Sequence, residues 1–349
     1  MNYLFKHCGV FIFSLSLLVF PILSLAQDEP QPQILQTATR FVQQSEYDKA
    51  LSLYNFYLQF QPDHIQALSQ RAVVYASIGE FTLAFDDLDD AFASAGFSAL
   101  DQAIIYNNRA QVHFRNRDND KALADFDRAI ELNPSFANYW RNRGILHQIM
   151  NNWDLAIQDY EQYLVLNPAD VEAYLSLARI YLSQNDYTKT ITALDSTIDL
   201  TPDDPELYIF RGSVNLLAEQ FAPAARDYMD WLRLINTTEY TSTPITSATE
   251  QRTVEMTYGA RYYIPFDAHS GDRFAVSANS QGVDSLIILI DPNGNPIMAN
   301  DDGGQGLNAF ILDFTLPEDG TYTLVVGHAR GGWDGDIELT IQIVAGEDI

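Results

Sequence analysis

Two rhythms of apolar spacing divide the chain. From about residue 31 to 238, apolar side chains recur every three to four positions, which places them on one face of an α-helix. From about 250 to 346 they recur every second position, as a half-buried strand requires. Ile337, Leu339, Ile341 and Ile343 alternate with Asp336, Glu338, Thr340 and Gln342. Phe274, Val276 and Ala278, and again Tyr322, Leu324 and Val326, keep the same period. Further strands are predicted at 252–258, 260–266, 285–290, 296–299 and 308–316. Turn signals separate them at Ser270-Gly271-Asp272, Asp291-Pro292-Asn293-Gly294 and Glu318-Asp319-Gly320. About eight short antiparallel strands in so few residues predict a β-sandwich or jelly roll. The Thr/Ser/Pro stretch 239–249 between the two rhythms reads as a linker.

The helical part repeats. Pro134, Pro168 and Pro202 stand 34 residues apart, and Pro62 precedes them by two periods plus four. Twelve residues before each proline is Ala50, Ala122, Ala156 or Thr190; twenty-four before is Ala38, Ala110, Gly144 or Ala178. Phe41, His147 and Tyr181 stand twenty-one before Pro62, Pro168 and Pro202. This pattern resembles the tetratricopeptide repeat, in which two antiparallel helices occupy 34 residues and small side chains sit where the helices cross. Six copies are read, at 31–64, 65–98, 103–136, 137–170, 171–204 and 205–238. The second uses Ala72, Tyr75, Ala84 and Ala91, has Gly96 in place of proline, and is followed by four extra residues, Ala99 to Gln102. The sixth uses Gly212, Phe221 and Ala224, with Asn236 at the proline position. A proline ends each helical pattern because it cannot continue the preceding helix. One hairpin cannot bury its apolar face alone, whereas stacked hairpins can, so an α-solenoid is expected. The 34-residue phase argues against a coiled coil. After Trp231-Leu232-Arg233-Leu234-Ile235 no polar capping helix follows, so the last hairpin is expected to be covered by the next domain.

One correlation runs through the copies. Arg71, Arg109, Arg143 and Arg211 hold the seventh position of repeats 2, 3, 4 and 6, and Asp87, Asp125, Asp159 and Asp227 follow sixteen residues later. Repeat 5 has Leu177 and Ala193 there, and repeat 1 has Thr37 and Leu53, so the two members are present or absent together. The spacing sets a residue of the first helix opposite one of the second, which predicts a partly buried Arg–Asp bridge in each hairpin. The other reading, a ladder of arginines for an anionic ligand, gives no account of the matched acids.

The resemblance also implies where a partner would lie: along the first helices, at repeat positions 2, 5, 9, 12 and 13. Those positions include Asn107, Gln111 and Arg115 in repeat 3, Asn138, Arg141 and Gln148 in repeat 4, and Arg179 in repeat 5. Amides and arginines suit hydrogen bonding to an extended protein segment. The basic–Asn clamp that some members of the family close on a C-terminal carboxylate is not reproduced.

The order of features in 250–345 resembles the bacterial pre-peptidase C-terminal (PPC) domain family. The resemblance rests on Tyr262-Tyr263-Ile264-Pro265-Phe266, Leu286 to Gly294, Asn300-Asp301-Asp302-Gly303-Gly304 and Asp319 to Val326. It implies an accessory module of an exported protein that is not itself proteolytic. Asp291, Asn293, Asn295 and Asp302 imitate the spacing of a calcium-binding helical loop, but Pro296 replaces the glycine its turn needs. Asp301, Asp302 and Asp313 are left as a candidate oxygen site for calcium, against the simpler reading of solvated turn acids. Trp333, among Gly331, Gly332 and Gly335, reads either as a sugar-stacking residue or as an aromatic packed on the sheet.

The first residues change the picture of location. Lys6, an apolar run from Gly9 to Leu25, and Ser24-Leu25-Ala26 before a polar stretch form a signal for export over 1–26. The alternative is an uncleaved anchor, for which the run is short. The chain of 349 residues carries 47 acidic and 20 basic side chains, a formal charge of −27, and one cysteine, Cys8. An exported form cut after Ala26 has no cysteine and so no disulfide. Nucleic acid and anionic membrane are poor partners for so acidic a chain. His64, His113, His147, His269 and His328 fall in no metal-ligand or triad spacing, and no nucleophile elbow is present. No cofactor and no enzymatic activity are expected. The expectation is therefore an exported, non-enzymatic scaffold that binds a protein or peptide segment through its hairpins. The second reading is an extracellular glycan- or matrix-binding protein led by the β-sandwich.

Overall fold

The computed structural model describes residues 32–95, 98–235, 237–257, 259–280, 283–301, 308–328 and 334–346. The signal at 1–26, Gly96, Asn236, Asp302 and Trp333 lie outside the described residues. The chain divides into two compact units between Ile180 and Tyr181.

The first unit holds helices α1 (Gln33–Gln43), α2 (Tyr47–Phe60), α3 (Ile65–Ser77), α4 (Phe81–Ala95), α5 (Ala99–Arg115), α6 (Asn119–Leu132), α7 (Ala137–Ile149) and α8 (Trp153–Leu166), and most of α9 (Val171–Ser183). They pack as successive hairpins, α1 on α2, α3 on α4, α5 on α6 and α7 on α8. The small residues that mark the repeat are fully buried at these crossings: Ala38, Ala50, Ala72, Ala84, Ala110, Ala122 and Ala156. Within each hairpin the chain reverses through a residue in the left-handed region: Ser45, Gly79, Arg117 and Asn151 here, and Asn185 and Glu219 further on. The amide after it bonds back across the helix end, as Glu46 N does to Phe41 O at 2.8 Å. This closes the last turn of each first helix and recurs at the same repeat position in all six turns.

The four extra residues Ala99 to Gln102 do not form a loop. They make the opening turn of α5, whose 17 residues exceed the 13 of α3 and α7. Ser98 caps this turn, its Oγ accepting from Asp101 N at 3.3 Å. Four residues are about one helical turn, so α5 is lengthened without rotating its buried face by much.

The second unit continues with α10 (Tyr187–Leu200), α11 (Pro205–Leu217) and α12 (Phe221–Leu234), followed by nine strands among the described residues. These are β1 (Thr238–Thr241), β2 (Thr249–Met256), β3 (Ala260–Ala268), β4 (Arg273–Ser280), β5 (Ser285–Ile290), β6 (Pro296–Asn300), β7 (Ala309–Thr315), β8 (Gly320–His328) and β9 (Gly335–Val344). They form two sheets, one ordered β1-β3-β8-β5-β6 and the other β2-β9-β4-β7. One apolar core joins them, with Ile264, Phe266, Leu289, Leu324 and Val326 from the first sheet and Phe274, Val276, Ile311, Leu339 and Ile341 from the second.

Two expectations are corrected here. The stretch read as a linker contains β1, which pairs in parallel with β3 through Thr238 to Thr241 against Ala260 to Tyr263. All four residues of β1 are exposed, so no alternation of apolar positions announces the strand. It is held instead by an ion pair between Glu239 and Arg261 and by Tyr240 stacked on Tyr262 at 5.1 Å. The strands are therefore not all antiparallel.

Helix α12 packs on β6 and β5 within this unit. Trp231 and Leu232 are almost fully buried, and the Tyr228 hydroxyl donates to Asp301 Oδ2 at 2.6 Å. The apolar end of the last hairpin, which no polar helix caps, thus has a cover.

Candidate functional site

The chemistry of the hairpins begins with the arginine at repeat position 7. Arg71, Arg109 and Arg143 each donate from Nε and Nη2 to the two carboxylate oxygens of Asp87, Asp125 and Asp159, at 2.6 to 2.9 Å. Arg211 grips Asp227 in the same manner, at 2.6 Å from Nη2 and 3.1 Å from Nε. All four carboxylates are buried. Burial alone would lower the pKa of Arg71, Arg143 and Arg211; the hydrogen bonds and charge of the aspartates outweigh it and hold the guanidiniums more firmly protonated. These arginines serve structure: two buried charges are matched by a planar two-bond contact.

A further set of acceptors was not read from the sequence. Arg71, Arg143 and Arg211 turn their remaining Nη1 to a residue sixteen positions before them, on the second helix of the preceding hairpin: Asn55 at 2.7 Å, and Asp127 and Asp195 at 2.6 Å. Each arginine therefore ties its own hairpin together and ties it to its predecessor. Spacing carried the signal, since Asn55, Asp127, Glu161 and Asp195 recur in phase with the repeat.

His113 and His147 occupy equivalent places one turn after Arg109 and Arg143. Their Nε2 atoms lie 3.7 Å from Asp125 and 4.0 Å from Asp159. Burial lowers both imidazoles below the ordinary histidine pKa, against the pull of those carboxylates. Asn215 fills the same place in the last hairpin and donates to Asp227 Oδ2 at 2.8 Å. A cavity of about 250 Å³ opens beside this cluster in the fourth hairpin, lined by Leu123, Asp127, Arg143, His147, Leu155 and Asp159.

The residues expected to face a partner separate into three groups. Asn107 and Gln111 are buried between hairpins. Asn107 Oδ1 accepts from Asn142 Nδ2 of α7 at 2.9 Å, and Asn107 Nδ2 donates to Asn108 Oδ1 at 3.0 Å. Asn108 in turn donates to Ser69 Oγ of α3 at 3.1 Å. This amide chain joins three successive first helices through their interior. Sequence position alone gave no measure of that depth.

A second group gathers at Tyr160 of α8. Its buried hydroxyl, raised to about 12 by desolvation, donates to Gln148 Oε1 at 2.7 Å and feels the charges of Arg141 and Arg179. Arg141 also lies over the ring of Tyr163, 5.9 Å from its centre. Arg179 is exposed, and Asn138 is half-buried near the start of α7. The third group is Arg115 alone, the last residue of α5, half-buried and with no carboxylate in ion-pair contact among the described residues.

In the C-terminal region the candidate calcium acids have other engagements. Asp313 pairs with Arg273, and Asp301 takes the Tyr228 hydroxyl. Asp291 builds its own turn, accepting from Asn293 N at 2.9 Å and Asn295 N at 2.7 Å. Among the described residues no group of three His, Cys, Asp or Glu is gathered as for a metal ion. Among them, too, no helix is long and apolar enough to cross a membrane.

Hairpins with small residues at the crossings define a class of repeat proteins, and the comparisons agree. Two tetratricopeptide repeat family models match, over residues 110–175 and 150–205. Residues 110–205 of the chain thus match tetratricopeptide repeats. No curated protein matches the sequence. Among solved structures, the chain is similar to the Pseudomonas aeruginosa pilF protein, at 19% identity over 58% of this chain and 90% of that one, with a TM-score of 0.45. It is also similar to PilW, a type IV pilus biogenesis factor, at 17% identity over 58% and 90%, with a TM-score of 0.45. A thermophilic tetratricopeptide repeat protein of Thermus thermophilus shares 20% identity over 52% and 97%, with a TM-score of 0.42.

Proposed function

We propose that this is an exported, non-enzymatic scaffold whose first helices take up an extended segment of a protein partner. Tetratricopeptide repeat proteins are in general protein-interaction scaffolds, and the repeats are the best-supported part of the chain. The observation that carries the reading is the cluster of Arg141, Gln148 and Arg179 around Tyr160: polar groups from neighbouring hairpins that come together. Such a set offers hydrogen bonds to peptide carbonyls and carboxylates. Export rests on the pattern of residues 1–26, and the C-terminal sheets, as a PPC-like β-sandwich, form an accessory binding module.

The test is selection of peptides from a random display library on the immobilised full chain. Peptides recovered on the native chain are then offered to the Arg141→Glu/Arg179→Glu variant. The reading expects a consensus among the selected peptides and a loss of binding of at least about tenfold in the variant, the scale of a lost charge-assisted contact. Selection that yields no consensus, or peptides indifferent to the variant, would refute it.

A further inference from the structure

Two places recur at each joint between hairpins: position 21 on the second helix of one repeat and position 11 on the first helix of the next. The first joint has Leu51 and Tyr75, both packed against one apolar core. The second has Phe85 and His113, whose rings lie 5.1 Å apart. The third has Leu123 and His147, and so a six-membered ring at neither place. The cavity of about 250 Å³ in the fourth hairpin lies here, lined by both residues. The space is large enough for the missing group, since a cavity of about 150 Å³ holds a benzene ring. It can be reached from solvent: Leu155 in its wall is 46% exposed, and Asp127 and Gln158, which also line it, are exposed. Its frame is the second helices α6 and α8, with Arg143 and His147 contributed by α7. None of the residues that the family resemblance gives to a partner lines it.

We propose that this cavity binds a phenolic ring. The ring follows from the chain's own example. Tyr75, in the place of His147, lies under the guanidinium of Arg71, 5.6 Å from its ring centre. Arg143 holds the same repeat position as Arg71 and makes the same backward contact, to Asp127 where Arg71 has Asn55. A ring in the cavity gives Arg143 the cation–π contact that Arg71 has from Tyr75, with Leu123 and Leu155 as apolar walls. The hydroxyl follows from the rim. The Asp127 side chain is 55% exposed and uses Oδ1 for Arg143, so a donor on the ring can reach its carboxylate. An anionic substituent is disfavoured, because Asp127 and Asp159 both line the space and already neutralise Arg143. The site is independent of the segment proposed for the first helices. A free phenolic compound and the tyrosine side chain of a protein share this chemistry.

The experiment titrates the full chain with p-cresol, the tyrosine side chain without its backbone, read by saturation-transfer NMR. A dissociation constant on the order of 1 mM is expected, the range open to so small a ligand. The methyl ether p-methylanisole keeps the ring and lacks the donor, and is expected to bind about tenfold more weakly. His147→Tyr supplies the ring from the chain itself, as in the second hairpin. Leu123→Phe supplies it from the other side of the joint, as Phe85 does. Each variant should weaken p-cresol binding by about tenfold or more and melt no lower than the native chain. Either substitution alone fills the space, so if one folds poorly the other decides. The peptide Gly-Ser-Gly-Tyr-Gly-Ser-Gly separates the sources: binding tighter than p-cresol marks a protein's tyrosine, and p-cresol binding without peptide binding marks a free phenol. No binding of p-cresol by the native chain, or binding undiminished in both filled variants, overturns the proposal. A marked fall in the melting temperature of both variants shows that the space does not accept a ring, and overturns it too. Equal binding of p-methylanisole overturns the assignment of the hydroxyl.

Discussion

Replacing Arg143 with leucine strands Asp159 in the fourth hairpin. The carboxylate is 2% exposed and would keep only His147, 4.0 Å away. Leaving one member of a buried pair without the other costs about 3–5 kcal/mol, and loss of the exposed Asp127 contact adds about 0–1. Asp159→Ala costs less, about 1–3 kcal/mol, because Arg143 keeps Asp127 and a route to solvent. The double variant removes both charges together. The chain already contains this arrangement, since Leu177 and Ala193 stand at the same two positions of the fifth repeat and both are buried. The double variant should therefore lie within about 2 kcal/mol of the native chain, and the two substitutions should couple by at least about 2 kcal/mol. Repeat arrays do not unfold in one step, so a global midpoint is a poor measure. Amide hydrogen exchange over α7 and α8 reads the local opening free energy directly. A double variant as destabilised as the sum of the single ones would show that the bidentate contact contributes nothing, and would refute the reasoning.

Two other outcomes are expected. Tyr228→Phe removes the donor to the buried Asp301 and should cost about 1–3 kcal/mol of protection in α12 and β6, whereas Asp301→Asn, which keeps an acceptor, should cost less; equal losses would argue against the bond. Acidification should weaken the hairpins: His113 and His147 are held neutral in the fold, so the unfolded chain takes up more protons and stability falls as pH drops below about 6.5, the ordinary histidine value. His113→Asn/His147→Asn imitates Asn215 and should reduce the fall in melting temperature between pH 7 and 5, leaving the part that His64 and His328, also lowered by burial, contribute; an unchanged slope would place the titrating groups elsewhere.

Much of this architecture can be read in the residues. The 34-residue phase gives the hairpins, because a proline and a small residue each have one physical role at fixed places. The joint presence of Arg143 with Asp159, and their joint absence at Leu177 and Ala193, reveals a contact across a hairpin with no structure in hand. Strands β2, β4 and β9 follow from alternation, since one face of each is buried, whereas β5 shows as a continuous apolar run because both its faces are covered. Strand β1 was hidden because all its residues are exposed, so no apolar alternation marks it; backbone pairing, the Glu239–Arg261 ion pair and the Tyr240–Tyr262 stack hold it. The depth of Asn107 and Gln111 was hidden for a related reason: an amide is equally at home on a wet surface and in a satisfied interior chain.

The two-sided grip of the arginines constrains how such an array can change in length. Duplication or loss of a whole 34-residue unit leaves every guanidinium with an acid ahead of it and an acceptor behind. A shorter insertion shifts one side only. The chain contains such a case: behind Arg109, after the four added residues, position 93 is an alanine, and the repeat-equivalent acid is Asp89, twenty residues back instead of sixteen. Asp89 still acts on Arg109 through its charge, and where the other arginines have a backward oxygen the ring of Phe92 lies 4.8 Å from the guanidinium; the ring of Tyr106, at 5.2 Å, has counterparts in Trp140 beside Arg143 and Tyr208 beside Arg211. The spacing of the hairpins is thus coupled to their charges: an insertion that is not a whole repeat leaves one arginine without its backward oxygen, and at the joint between the second and third hairpins an aromatic face stands in that place.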